Sequence, residues 1–329
     1  MRIVTLGGGH GQAALLGALR GLSCELAAVV SVADDGGCSG KLRGELGIPP
    51  PGDVRRCLST LARNRMAAEL VERRFDQGRA AGRCVGNLAL AELSISMGGL
   101  TKAAVRLGGL LASTGRVLPV ADAPGTLAVY DLEHGQVDGE SRIEKMSGRT
   151  VVAAVHGPER ATDAALEAIV DADLLLFGPG SFVGSTLAVL TTGDVGRALA
   201  ESSGRLVLVR NVARDEHTNV PGAVDFDDHE RLFRDHLLIG TLGDRTSFDV
   251  LAHGDSPGSS MRPDGSVELV YPVARDGARR HDPDRLAAAL AHHFELEPRS
   301  DPPPSIHLDS AVREIDELAR LGLRRIGLG

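Results

Sequence analysis

Residues 2–11, Arg2-Ile3-Val4-Thr5-Leu6-Gly7-Gly8-Gly9-His10-Gly11, join a β-prone apolar run to a glycine turn. The next twenty residues settle how that run is read. Gln12 to Leu22 carries Leu15, Leu16 and Leu19 at helical spacing, and Leu26 to Val32 is again continuously apolar. Strand, glycine turn, helix, strand is a βαβ unit, and an unbroken apolar strand suits a parallel strand covered by helices on both faces. The expected fold is α/β and Rossmann-like: a mostly parallel sheet with helices on both faces, plus a helical insertion and a small β-hairpin region.

Working outward, a helical region spans roughly 54–112, broken near Gly78 to Gly86 and at Gly98-Gly99. Short alternating segments around a His134-Gly135 turn, between about Gly125 and Val155, predict the hairpin. The α/β pattern returns with a helix over Glu159 to Val170, a strand over Asp173 to Phe177, the turn Gly178-Pro179-Gly180-Ser181, and a strand over Leu206 to Arg210. Residues 212–268 have weak periodicity; Asp225, Asp227, Asp228 and His229 read as an acid-rich helix start. Asp284 to Phe294 reads as a packed helix. Residues 1–296 are therefore expected to form one domain, and 297–329 a proline-rich linker and C-terminal helix.

Composition narrows the function. The chain has 329 residues and 44 acidic against 36 basic side chains, a net charge of −8 that argues against nucleic-acid binding. Aromatic residues are 3% with no Trp, so few surfaces can stack bases. Cys24, Cys38, Cys57 and Cys84 form no C-x-x-C pair and are expected to be reduced, mostly buried thiols. With no charged leader and no apolar stretch of membrane-spanning length, a cytoplasmic protein without membrane contact is expected.

Both glycine turns follow strands, where backbone N–H groups can approach a phosphate, although tight turns need glycine without any ligand. The first is not the dinucleotide fingerprint, because Gln12 stands where its last glycine belongs. Nor is Gly40-Lys41 a P-loop, since Leu42 comes next. The most unusual stretch is Val32-Ala33-Asp34-Asp35-Gly36-Gly37-Cys38-Ser39-Gly40-Lys41-Leu42-Arg43. Adjacent Asp34 and Asp35 favour a metal or ribose role over a solvated turn. Lys41, Arg43 and Arg55 supply charge for a phosphate or form surface ion pairs. Asp53 caps a helix or binds a metal; Asn87 and Asn211 cap or donate to a ligand.

These segments, with Pro49 through Arg55, Gly86-Asn87-Leu88 and Gly115-Arg116-Val117-Leu118-Pro119, resemble the bacterial gluconeogenesis factor (YvcK-like) family, related to the 2-phospho-L-lactate transferase CofD. The match runs in order to about residue 211 and resumes loosely at Arg280-His281-Asp282-Pro283. The resemblance implies a uridine-diphosphate-sugar-binding regulatory protein linked to carbon metabolism and cell-envelope morphogenesis. Gly8, Gly9, His10 and Gly11, with Gly178, Gly180 and Ser181, would hold the diphosphate, helped by Lys41 and Arg43. Asp34, Gly36, Gly37, Ser39, Arg55, Asn87 and Asn211 complete the expected ligand site. The transferase relatives imply the alternative: a phosphate-linked group moved from a nucleotide donor to a small acceptor, with Asp35 and Asp53 as catalytic ligands of Mg2+. A homo-oligomer, a dimer, is expected. The chain departs from the family pattern at His10, Arg83, Val183-Gly184 and Ala213 through Val220.

Overall fold

The computed structural model describes residues 1–146, 151–213, 226–240, 247–300 and 308–328. Strand β1 (Arg2–Gly7), helix α1 (Gly9–Leu19) and strand β2 (Glu25–Val30) form the opening unit, and every strand residue after the first is buried in both β1 and β2. Helix α2 (Gly37–Leu46) comes after the acidic pair. The helical region then divides into α3 (Gly52–Leu61), α4 (Arg65–Glu72), α5 (Val85–Met97) and α6 (Leu100–Leu111). Its interruptions fall where glycine predicts them: a 3-10 turn at Gly78–Ala80, and Gly98, whose φ of +75° ends α5 in the left-handed region.

Next come β3 (Arg116–Pro119), β4 (Leu127–Asp131), β5 (Gly135–Asp138), α7 (Glu140–Lys145) and β6 (Val151–His156). Strands β5, β4 and β6 pair antiparallel in that order, so the expected hairpin is a three-stranded sheet. Asp131 shapes its turn by accepting from the Glu133 and His134 amides at 2.9 and 3.0 Å. Helix α8 (Asp163–Val170) begins four residues later than the sequence pattern suggests. Thr162 is its cap, accepting from the Ala165 amide at 3.3 Å, so the polar stretch before it stays outside the helix.

The chain continues through β7 (Leu174–Phe177), a π-helical turn at Phe182–Leu187, α9 (Ala188–Leu190), α10 (Val195–Glu201) and β8 (Arg205–Val209). Helix α11 (Phe226–Gly240), strands β9 (Asp249–His253), β10 (Gly258–Met261) and β11 (Val267–Tyr271), and helices α12 (Pro283–Phe294) and α13 (Leu308–Arg325) complete it. The weakly periodic region thus supplies three more strands. Of the acid-rich helix start, Asp225 lies outside the described residues.

The main sheet runs β10-β11-β9-β8-β7-β1-β2-β3, parallel except for β10 against β11. From β1 the chain winds outward through β2 and β3; it returns at β7, on the other side of β1, and winds away through β8. The order therefore reverses between β1 and β7, where an open α/β sheet leaves a crevice at its carboxyl edge. Helix α13 packs on α5, burying Ala311, Ile315, Ala319 and Leu323, with Arg325 bonded to both Glu92 carboxylate oxygens at 2.8 and 3.1 Å. Among the described residues, no helix is long and apolar enough to cross a membrane.

Candidate functional site

The two glycine turns meet because β1 and β7 are in register up to Leu6 beside Phe177. Both strands therefore end at one level, and the Gly178 amide donates to the Leu6 carbonyl at 3.1 Å. A Cβ on Gly11 would lie 2.6 Å from Gly180 Cα and deep inside the Pro179 carbonyl. Only glycine lets these main chains touch. Gly180, at φ +138°, adopts a conformation L side chains avoid.

Asn211 fixes the second turn by a reciprocal pair of bonds: it accepts from the Gly180 amide at 2.9 Å and donates to the Gly180 carbonyl at 2.8 Å. Its amide is thus committed to shaping the turn. Gln12 explains the missing glycine of the dinucleotide motif. Its buried side chain donates to Thr5 O, Thr5 Oγ1 and Val29 O at 3.1–3.2 Å, filling the space behind the turn and tying β1 to β2.

Over the turns lies a cleft of about 570 Å³. Gly8 to Gly11 and Pro179 to Ser181 line it, with an acidic wall of Asp34, Asp53, Glu140 and Glu144 that feel one another's charge, and with Arg56, Ser185, Asn211, Val212, Ala213, Arg279, Arg280 and His281. At the start of α1, the His10 and Gly11 amides have no hydrogen-bond partner among the described residues, as expected of a first helical turn. The Gly9 amide is already taken by Asp53 Oδ2 at 2.7 Å, while Asp53 Oδ1 accepts from Arg56 at 2.9 Å. A Cβ on Gly8 would sit 2.6 Å from that same Asp53 Oδ2.

The acids of this wall crowd one another. Burial pushes the Asp53 carboxyl up, against the pull of Arg56 and the Gly9 amide. Asp34 is raised first by burial and further by Asp53, against the Gly36 amide that donates to it at 2.8 Å. Glu140 is pushed up to about 9 by burial, then by Asp34 and Asp53. Its place depends on two glycines. A Cβ on Gly184 would strike Glu140 Oε1, and Gly139, at φ +94°, lies where a Cβ would be 2.7 Å from Asp35 Oδ2. Elsewhere in the lining, burial and then the neighbouring His253 lower His281 to about 4.

The structure sorts the sequence candidates. Gly8, Gly9, His10, Gly11, Asp34, Asp53, Gly180, Ser181 and Asn211 line the cleft, with Gly178 at the base of its turn. Asp35 turns away: its Oδ1 accepts from the Ser141 amide at 2.8 Å and braces α7. Gly36 and Gly37 lead into α2, and Ser39 stands behind Asp34, where Asn87 Nδ2 approaches its Oγ at 3.5 Å. The predicted cations go elsewhere. Lys41 is exposed, Arg43 donates to Thr126 at 3.2 Å, and Arg55 is buried in an ion pair with Glu72. Among the described residues, the arginines lining the cleft are Arg56, Arg279 and Arg280. Arg56 adjoins the Pro49 through Arg55 segment, and Arg280 opens the Arg-His-Asp-Pro stretch. Glu140 and Arg279 had no local signal, since their approach depends on tertiary packing. Of the departures from the family pattern, Arg83 pairs with Glu45, Val183-Gly184 form part of the π-helical turn, and Ala213 lines the rim. Residues 214–220 lie outside the described residues.

A family model described as 2-phospho-L-lactate transferase CofD matches residues 3–277. A Thermotoga maritima protein named as a candidate gluconeogenesis factor is 39% identical over 312 residues, covering 88% of this chain and 98% of its own. The gluconeogenesis factor of Halalkalibacterium halodurans is 33% identical over 282 residues, covering 83% and 84%. The crystal structure of a Bacillus halodurans protein superposes with a TM-score of 0.76 at 29% identity, covering 87% of this chain and 97% of that one. Strand order, paired glycine turns and these matches agree: the chain belongs to the CofD family, among relatives named gluconeogenesis factors.

Proposed function

We propose that the cleft binds a nucleotide-sugar of the uridine-diphosphate type, its diphosphate held over the joined glycine turns, and that the protein acts as a regulator of carbon metabolism and envelope morphogenesis. The observation that carries this reading is the pair of unpartnered amides, His10 and Gly11, at the start of α1 in a cleft at the sheet's switch point. Arg56, Arg279 and Arg280 line the same space and would add charge-assisted bonds.

A bare diphosphate would also meet Asp34, Asp53 and Glu140, which already disfavour one another's charge. This donor set suits Mg2+, which takes one or two carboxylates and completes its shell from phosphate oxygens and water. Among the described residues, no group of three His, Cys, Asp or Glu is arranged to hold a metal alone. A shell shared with the ligand is therefore the arrangement that fits. Asp53 and Asp34 would hold the ion; Asp35 would brace α7 and so keep Glu140 in the cleft. When bound, the ion would supply the positive charge that lets carboxylates and phosphates share one space.

Native mass spectrometry of freshly purified protein tests this reading through a co-purified nucleotide-sugar. Its absence, together with no mass shift when uridine and guanine nucleotides are added with Mg2+, rejects it. The same acidic wall favours a second reading, transfer of a phosphate-linked group from a nucleotide donor. There Asp53→Asn would abolish acceptor-dependent release of nucleoside monophosphate, and no release by the parent chain with any donor would dismiss it.

A further inference from the structure

Cys38 and Cys84 lie 46 residues apart in sequence, yet the Cys84 amide points at Cys38 Sγ from 3.4 Å. Covalent geometry then keeps Cys84 Cα within about 5 Å of that sulfur and the two Cα atoms within about 8 Å of each other, so at most a small approach of the two segments separates the pair from disulfide geometry. Cys38 is in the first turn of α2 and is half-buried; Cys84 precedes α5 and is fully buried. The Cys84 thiol donates to the Val71 carbonyl at 3.2 Å, a weak bond that a turn of its side chain would exchange for the Cys38 sulfur. The other two thiols are placed differently. Cys57 is buried, donating to Gln12 at 3.6 Å, and Cys24 lies at the foot of β2, beyond the opposite end of the sheet from the cleft.

We propose that Cys38 is an oxidation site, converted by a hydroperoxide to a sulfenic acid and then resolved by Cys84 into a disulfide joining α2 to α5. In the first step the Cys38 thiolate attacks the peroxide. The O–O bond breaks, sulfur is oxidised by two electrons, and one molecule of water or alcohol leaves. In the second step Cys84 sulfur attacks Cys38 sulfur; the S–S bond forms, the S–O bond breaks, and the hydroxyl leaves as water with the Cys84 proton. Partial exposure gives Cys38 the first role. Burial raises the Cys84 thiol and keeps it from meeting the peroxide first. The bond would pin the turn that carries Ser39 against Asp34, coupling thiol state to the cleft. That coupling rests on the cleft's proposed role as a nucleotide-sugar site; the bond itself does not.

The test uses the full chain treated with hydrogen peroxide, blocked with N-ethylmaleimide and digested with trypsin. Cys24 and Cys38 share tryptic peptide 21–41, so a Cys24→Ser chain makes the assignment unique. The expected product is peptide 21–41 linked to 84–102, two hydrogens lighter than the separate peptides and reversed by dithiothreitol. Cys84→Ser should trap Cys38 as a dimedone adduct, and Cys38→Ser should leave Cys84 reduced. Cys38 and Cys84 both recovered as maleimide adducts after peroxide that oxidises free cysteine, or a link from Cys84 to any other cysteine, overturns the proposal. A change in nucleotide affinity on oxidation would support the coupling to the cleft. Unchanged affinity with the bond formed would remove the coupling and leave the oxidation site standing.

Discussion

Gly11→Ala is the substitution on which the joined turns bear hardest. The added methyl would lie 2.6 Å from Gly180 Cα and closer still to the Pro179 carbonyl, all main-chain atoms that cannot swing aside. Relief requires the turns to part by about 1 Å, an overpacking cost of about 2–3 kcal/mol. For 329 residues, an unfolding entropy of roughly 0.7 kcal/mol/K converts that cost to a fall in Tm of about 3–4 °C. Gly17→Ala is the control, because it changes the same helix. Its methyl would meet only Pro283 Cβ and Thr60 Cγ2 at 3.9 Å, ordinary contacts, so it should be neutral or stabilise by up to about 1 kcal/mol. Thermal unfolding by calorimetry would give the stability term, and nucleotide titration the binding term. Parting the turns should weaken binding at least ~10-fold, since positioning errors of this size are costly. If Gly11→Ala and Gly17→Ala melt together and bind alike, the turns are not packed as described.

Other perturbations separate the remaining parts of the site. Glu140 titrates at about 9 in the fold against 4.5 ordinarily. A raised acid is protonated in the folded chain where the unfolded chain has already ionised. Its contribution is therefore fully present below about pH 4.5 and declines as pH rises towards 9, by at most about 1.4 kcal/mol per pH unit. Glu140→Gln should gain in Tm over the parent across that window, and parallel Tm profiles would argue against a buried Glu140. Asn211→Ala removes both bonds to Gly180 and should cost about 1–3 kcal/mol, whereas exposed Lys41→Ala should change neither melting nor binding. Asp35→Ala should cost about 1 kcal/mol and open α7 to limited proteolysis, with Asp35→Asn restoring most of it through the retained acceptor. Equal losses in the two Asp35 variants would point away from the brace.

The sheet's opening unit was legible because glycine, apolar run and helical spacing agreed over residues 2–32. The paired turns were legible for the same reason, but their contact was not: it arises from the register of Leu6 against Phe177, across a separation no local pattern reports. Asp34 and Asp35 were visible as a pair, yet in the loop between β2 and α2 the neighbouring side chains go different ways, so one lines the cleft and the other caps α7. Charge was hardest to assign. Arg55 and Arg56 differ by one step of a helix, which sends the first into the core beside Glu72 and the second to Asp53. Strands β9–β11 escaped notice because their side chains are only partly apolar, as suits the sheet's outer strands and exposed edge.

Isothermal titration of a uridine-diphosphate-sugar into the purified chain, with Mg2+ and again with a chelator, asks the cleft what it holds. One site per chain is expected, binding at least ~10-fold tighter with Mg2+, with loss of that metal dependence in Asp53→Asn. No heat at millimolar ligand with Mg2+, or binding that Asp53→Asn and the chelator leave untouched, would mean that the joined turns and their acidic wall serve some other purpose.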